Sequence, residues 1–134
     1  GVATAGIPHA AWVAEKLGLP LIYVRAQPKD HGTGKQIEGS LQSGQKVVLI
    51  DDLISTGGSV LGAVKATRAA GGEVLGVTAI FSYELPAATD NFAQAATTFS
   101  SLTNFSNLIQ VAKDTGEITH DELVMIADWH QTLA

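Results

Sequence analysis

The stretch from residue 46 to residue 81 confines this chain to a narrow set of folds. Behind Lys46, Val47, Val48, Leu49 and Ile50 are four consecutive strand formers, the pattern of a strand buried on both faces. Asp51 and Asp52 then emerge at its tip, and a turn of small residues follows. Over residues 59–70, Val60, Val64 and Thr67 share one helical face, and Gly71 with Gly72 ends the helix. Residues 74–81 are a second apolar strand. Strand, helix and strand within 36 residues is the span of one βαβ unit, which requires parallel strands joined by a helix packed on one face.

The rest of the chain keeps the same rhythm. Residues 1–8 read as a loop entering a helix, with Pro8 suited to the first turn. Ile7, Ala11, Ala14 and Leu17 fall on one face, and Gly18 stops the helix. Residues 21–24 have the length of a short strand. Residues 26–36 carry Pro28, Gly32 and Gly34 among Lys29, Asp30, His31 and Lys35, and form a long loop that we expect to be unordered without ligand. Strands are expected at 37–41 and 97–102 and a helix at 86–95. A further helix runs through residues 111–114, capped by Asn104 or Ser106. Thr119 and Glu122 are spaced as a capping box for a helix over 121–133. The class is α/β: a three-layer, mainly parallel sheet with helices on both faces. No strand precedes the first helix, so we expect residues 1–134 to be one domain and a C-terminal portion of a longer chain.

Composition removes several classes of function. Forty-six per cent hydrophobic and 16% charged residues describe a chain able to build a core. No cysteine means no disulfide, thiolate metal site or cysteine nucleophile, and is compatible with a reducing cytoplasm. A net charge of −5 argues against nucleic acid or an anionic membrane as partner. No apolar run approaches the roughly 20 residues needed to span a bilayer.

Ligands of open parallel sheets bind beyond the carboxyl ends of the strands. There, Asp51 and Asp52 are followed by Leu53, Ile54, Ser55, Thr56, Gly57, Gly58 and Ser59, running straight into a helix N-terminus. Such a turn aims backbone N–H groups at a phosphate, helped by the helix dipole. The serine and threonine hydroxyls add donors, and the glycines let the backbone come close. A phosphate cup beside two carboxylates suits a phosphorylated sugar, whose hydroxyls or hydrated Mg²⁺ the acids would hold. The alternative is that the acids merely end a strand and Ser59 merely caps a helix. It leaves two adjacent acids before a glycine- and hydroxyl-rich turn unexplained. Nucleotide motifs fail: Gly34 and Lys35 precede Gln36 with Lys29 at the required glycine offset, and Gly32-x-Gly34 meets Ile37 where the dinucleotide fingerprint needs its last glycine.

The 47–59 segment resembles the phosphoribosyl pyrophosphate motif of type I phosphoribosyltransferases. Residues 25–32, with Lys29-Asp30-His31-Gly32, resemble the mobile catalytic loop of the orotate-using branch of that family. Residues 1–10 resemble its pyrophosphate loop and following helix. The resemblance implies a core of this fold lacking the N-terminal strand and part of the hood over the base. It implies transfer of phosphoribosyl from phosphoribosyl pyrophosphate to orotate, with Mg²⁺, in a homodimer that shares its active sites. Residues 53–59 would hold the 5′-phosphate. Asp51 and Asp52 would contact the ribose hydroxyls and, directly or through water, the metal. Thr4, Ala5 and Gly6 would cradle the pyrophosphate. Arg25, Lys29 and His31 would neutralise it on departure, Lys29 or His31 assisting proton transfer.

Some positions depart from that pattern. Ala5, Ala26 and Gln27 stand where lysines are common, which weakens the charge around the pyrophosphate. With much of the base site expected outside residues 1–134, the chain alone is expected to be impaired. Transferases for purine, xanthine or uracil share the 51–59 segment and differ in the mobile loop. A non-catalytic regulator sensing phosphoribosyl pyrophosphate would need the cup but not Lys29 and His31. A phospho-acceptor receiver domain fits poorly, because its acids are not adjacent and no phosphate turn follows them. His9, His120 and His130 are expected to be structural or exposed, and Trp12 and Trp129 to be packing residues.

Overall fold

The computed structural model describes residues 1–28 and 34–133. The elements run in the order α1 (Gly6–Leu17), β1 (Tyr23–Val24), β2 (Ile37–Glu38), β3 (Lys46–Ile54), α2 (Gly58–Ala69), β4 (Glu73–Ser82), α3 (Pro86–Gln94), β5 (Phe99–Asn104), α4 (Phe105–Asp114) and α5 (His120–Gln131). β3, β4 and β5 form a parallel sheet, as the βαβ pattern requires, and β1 and β2 form an antiparallel pair.

Residues 1–3 join the two sheets, where a loop was expected. The Val24 N–H donates to the Gly1 carbonyl at 2.8 Å, and the Ala3 N–H donates to the Val24 carbonyl at 2.9 Å. On the other side the Val2 N–H donates to the Ile50 carbonyl at 3.0 Å, and Val2 bridges Val24 in parallel sense. The hydrogen-bonded order is therefore β2, β1, residues 1–3, β3, β4, β5. Strand-like hydrogen bonding thus does precede the first helix, and that helix begins at Gly6, ahead of the proline.

One face of the sheet carries the core. Leu49, Val77 and Ala79 meet Val60, Ala63 and Val64 of α2 and Ala88 and Phe92 of α3. Thr67, fully buried on α2, satisfies its hydroxyl on the Ala63 carbonyl at 2.8 Å. α1 packs on β3 and buries Ala10, so helices flank the sheet. The expectation that β3 is buried on both faces is not met: Val48 is 51% exposed. α1 covers its face only partly, leaving an apolar cavity of about 500 Å³ lined by residues including Val13, Leu17, Leu21, Val48 and Leu75.

Several boundaries fall where their local chemistry sets them. Gly18 caps α1 with φ 64°, its N–H on the Glu15 carbonyl. Between the two expected caps of α4 the structure selects Asn104, whose Oδ1 accepts from the Asn107 N–H at 2.9 Å. The capping box of α5 is complete: the Glu122 N–H donates to Thr119 Oγ1, and Glu122 Oε2 accepts from the Thr119 N–H. Trp12 and Trp129 are 64% and 50% exposed and pack at the surface, Trp12 on His9 and Trp129 on Phe105.

Candidate functional site

Three segments converge at the carboxyl end of the sheet. Val2 is hydrogen-bonded to Ile50 and Ala3 to Val24, so the residues that leave those strands emerge side by side. Those are Arg25, the turn of Thr4, Ala5 and Gly6, and the acid pair with the 55–59 turn. The described residues of the sequence motifs, separated by up to about fifty residues, share one edge.

β3 runs further than expected. Its parallel register with β4 pairs Asp51 with Ala79, Leu53 with Phe81 and Ile54 with Ser82, so both acids lie within the strand. Neighbours in a strand point to opposite faces, and the pair is divided accordingly. Asp51 is 8% exposed, and Asp52 is half-buried. Asp51 Oδ1 accepts from the Asp52 N–H at 3.0 Å. Burial, and then the neighbouring Asp52 carboxylate, push the Asp51 carboxyl up to about 6. Leu53 and Ile54, expected in the phosphate cup, belong to the strand. The Ile54 side chain is fully buried, and its carbonyl accepts from the Tyr83 N–H at 2.9 Å.

The cup proper starts at Ser55. Ser55, Thr56 and Gly57 form the turn, and Gly57 is the N-cap of α2 with φ 82° and no side chain over the helix end. The N–H groups of Ser55, Thr56 and Gly57 have no partner among the described residues. Those of Gly58, Ser59 and Val60 are first-turn donors that the helix cannot satisfy itself. Ser55, Thr56, Gly58 and Ser59 are exposed, whereas Gly57 and Val60 are buried. Asn91 of α3 braces the turn by donating from Nδ2 to the Thr56 carbonyl at 2.9 Å.

The 4–6 turn is pressed against the acid pair. Its Ala3–Thr4 peptide bond is cis. The Thr4 and Ala5 N–H groups have no partner among the described residues, and both residues are exposed. Gly6 is buried where α1 starts, and a Cβ there would lie 2.5 Å from the Ile50 carbonyl oxygen and 3.2 Å from Asp51 Oδ1. No other residue fits that contact. A missing side chain is what lets the turn reach Asp51.

Arg25, expected to neutralise the pyrophosphate, also has a partner within the chain. Its Nη1 lies 3.4 Å from Glu38 Oε1 across the β1–β2 pair, and its N–H donates to the Gln36 carbonyl. With its side chain 40% exposed, the guanidinium holds the root of the 26–36 loop and keeps donors in reserve. Lys29 and His31, and the central part of the loop expected to be unordered, lie outside the described residues.

Sequence reasoning missed the corner that follows β4. His130 Nε2 hydrogen-bonds the Tyr83 carbonyl, and Glu84 Oε2 accepts from the Ser106 N–H at 2.9 Å. Neither residue stands in a recognisable motif. The only available signal was Glu84 between strand and Pro86, which reads as a plain turn residue. The apolar cavity is not part of the site, since it is lined by the starts of β3 and β4, not by the residues that follow them.

Comparison with known proteins agrees with this geometry. A family model described as the phosphoribosyl transferase domain matches residues 1–112. Over 131 residues the chain is 64% identical to an orotate phosphoribosyltransferase of Lactiplantibacillus plantarum, covering 98% of this chain and 62% of that protein. The chain thus spans a little over three-fifths of the length of such curated relatives. Among solved structures, a UMP synthase of Leishmania donovani superposes with TM-score 0.83 at 25% identity, covering 98% of this chain and 28% of that one. An orotate phosphoribosyltransferase of Aeropyrum pernix gives TM-score 0.74 at 31% identity, covering 89% and 64%. With the family model spanning most of its length and the described motif residues assembled at one sheet edge, the chain belongs to the phosphoribosyl transferase domain family.

Proposed function

We propose that the chain is the phosphoribosyl pyrophosphate-binding core of an orotate phosphoribosyltransferase of pyrimidine biosynthesis. In that reaction the bond from ribose C1 to pyrophosphate breaks, a bond from C1 to the orotate ring nitrogen forms, and that nitrogen loses its proton. The products are orotidine 5′-monophosphate and pyrophosphate. The observation that carries the reading is the meeting of the 4–6 turn with Asp51 at the head of the 55–59 cup. The choice of orotate rests on the Lys29-Asp30-His31-Gly32 stretch and on the similarity to relatives of that name.

Each residue then has a physical task. The unpaired donors of residues 55–60, at the positive end of α2, hold the 5′-phosphate. The N–H groups of Thr4 and Ala5 face the pyrophosphate. Asp51 and Asp52 hold the ribose hydroxyls, and their negative charge favours the cationic character that develops at C1. Arg25, Lys29 and His31 stabilise the departing pyrophosphate, Lys29 or His31 assisting proton transfer.

Mg²⁺ fits this donor set as a partner of the substrate. Two hard carboxylates are present, and no group of three metal-ligating side chains occurs among the described residues. Mg²⁺ is commonly held in this way, by one or two carboxylates with water and substrate oxygens completing its shell. When bound with the substrate, it would neutralise charge on the pyrophosphate. The shared-site homodimer and a cytoplasmic location belong to the same proposal. No helix of the described residues is long and apolar enough to cross a membrane.

The test uses the 134-residue chain and a chimera in which it replaces the matching part of the Lactiplantibacillus plantarum relative. Calorimetry on the chain should show phosphoribosyl pyrophosphate binding with Mg²⁺. The chimera should consume orotate and not uracil, adenine, hypoxanthine or xanthine. Lys29→Ala should lower its turnover about a hundredfold, the ordinary size of a lost acid–base or charge-stabilising group. Turnover of another base would overturn the choice of orotate, and absence of binding would overturn the whole reading.

A further inference from the structure

The end of β3 that carries the phosphate turn is held from the far side by the C-terminal helices. The carbonyl of Ile54, immediately before Ser55, accepts from the Tyr83 N–H at 2.9 Å. The carbonyl of that same Tyr83 is bonded by His130 Nε2 of α5. Since a carbonyl only accepts, Nε2 carries the proton. The His130 ring stacks on Phe105 with centroids 4.1 Å apart and planes 11° apart, and Phe105 is 6% exposed. Tyr83 is itself lodged between Phe81, edge to face at 5.4 Å, and Phe105 at 6.5 Å.

The next residue is fixed just as firmly. Glu84 has φ 58°, a conformation that residues other than glycine seldom adopt. Its N–H donates to Ser82 Oγ at 3.1 Å, and its carboxylate accepts from the backbone N–H and hydroxyl of Ser106 at the N-terminus of α4. The corner is thus pinned at both residues by α4 and α5. Neither helix adds much to the main core: Phe105 is the one buried residue of α4, and α5 has none. Helices with so little apolar burial of their own owe their place to polar and aromatic contacts at this corner.

We propose that His130 is a positioning residue for the phosphate turn: through the Tyr83 peptide, α5 fixes the Ile54 carbonyl and with it the path of residues 55–59. The inference rests on the reading that this turn holds the 5′-phosphate.

The experiment compares the 134-residue chain with His130→Ala and His130→Gln, the latter keeping an N–H donor of similar reach. Hydrogen exchange is followed at the Tyr83 amide and across residues 55–59, with the Val77 amide of the central strand as the control for global loosening. His130→Ala should speed exchange at Tyr83 and in the turn about tenfold, leave Val77 unchanged, and weaken phosphoribosyl pyrophosphate binding by about tenfold, the scale of one lost hydrogen bond. His130→Gln should restore both. Unchanged exchange in His130→Ala overturns the proposal. So does faster exchange without loss of affinity, or equal impairment of the two variants, which would make His130 a packing residue only. If the unsubstituted chain binds no phosphoribosyl pyrophosphate, the phosphate reading fails, and the exchange comparison, which needs no ligand, still decides whether α5 holds the turn.

Discussion

Gly57 and Gly58 stand side by side in the phosphate turn and meet opposite constraints. At Gly57 the backbone has φ 82°, and a Cβ would sit 2.6 Å from Phe92 Cε2 in the core. At Gly58 the backbone is helical, and a Cβ would meet only Thr56 Oγ1 at 3.8 Å. Gly57→Ala therefore combines a left-handed alanine with an overpacked core, and should lower unfolding free energy by about 2–4 kcal/mol. Gly58→Ala should leave stability unchanged or raise it by up to about 1 kcal/mol, since alanine is the better helix residue. Its methyl group nevertheless adds bulk beside Thr56 in the proposed phosphate turn, so phosphoribosyl pyrophosphate should bind less tightly. Chemical denaturation of both variants with calorimetry on Gly58→Ala checks this. An unaltered midpoint for Gly57→Ala would mean that Phe92 yields easily and the turn is not fixed from beneath.

At the scale of the element, the helices were legible wherever their ends carried chemistry. Thr119 and Glu122 marked α5 because the capping box is a local, reciprocal pair, and the structure contains both of its bonds. This cap matters more than most, because no residue of α5 is buried and packing cannot hold the helix alone. Thr119→Ala should cost about 1 kcal/mol and fray the first turn, visible as faster amide exchange at Glu122 and Leu123. Unchanged exchange there would show that contacts at the other end of α5 suffice. Strands were harder to delimit from sequence. Tyr23 and Val24 are a strand because residues 1–3 lie beside them, and β3 continues through Asp51 and Asp52 because β4 is long enough to pair with them. Such pairing is non-local and leaves no periodic trace in the sequence. The candidate site was legible for a related reason: the cup is a contiguous run of small residues, whereas Glu84 and His130 act through residues far away in the chain. Arg25, read for its charge, also ties two short strands together.

For the molecule as a whole, the margin of stability is set by a modest core. Among the described residues, fourteen apolar side chains are buried while fifteen large ones are exposed, so a few kcal/mol at one site is a large part of the total. Asp51 is such a site, because it carries a charge inside that core at the edge of the proposed ribose pocket. Its carboxyl is raised to about 6 from an ordinary value of 3.8. Below pH 4 it is protonated in the folded and unfolded chain alike and penalises neither. Between pH 4 and 6 the unfolded chain releases its proton first. Above pH 6 the folded chain carries the buried charge, and the stability lost reaches at most about 3 kcal/mol. Glu122 acts in the opposite direction, since its bonds to Thr119 hold its carboxyl below the usual range and support the fold only while it is ionised. Comparing the wild-type chain with Asp51→Asn isolates the first effect. Asparagine keeps the oxygen that accepts from the Asp52 N–H and removes the charge. The variant should melt several degrees above the wild-type chain at pH 7.5, and the difference should shrink through pH 6 and vanish near pH 4. It should also bind phosphoribosyl pyrophosphate and Mg²⁺ more weakly, because the charge that destabilises the fold is the charge assigned to the ribose and the metal. A variant less stable than wild type at pH 7.5 would mean that the Asp51 carboxylate is solvated in the free protein and adds no strain to the fold.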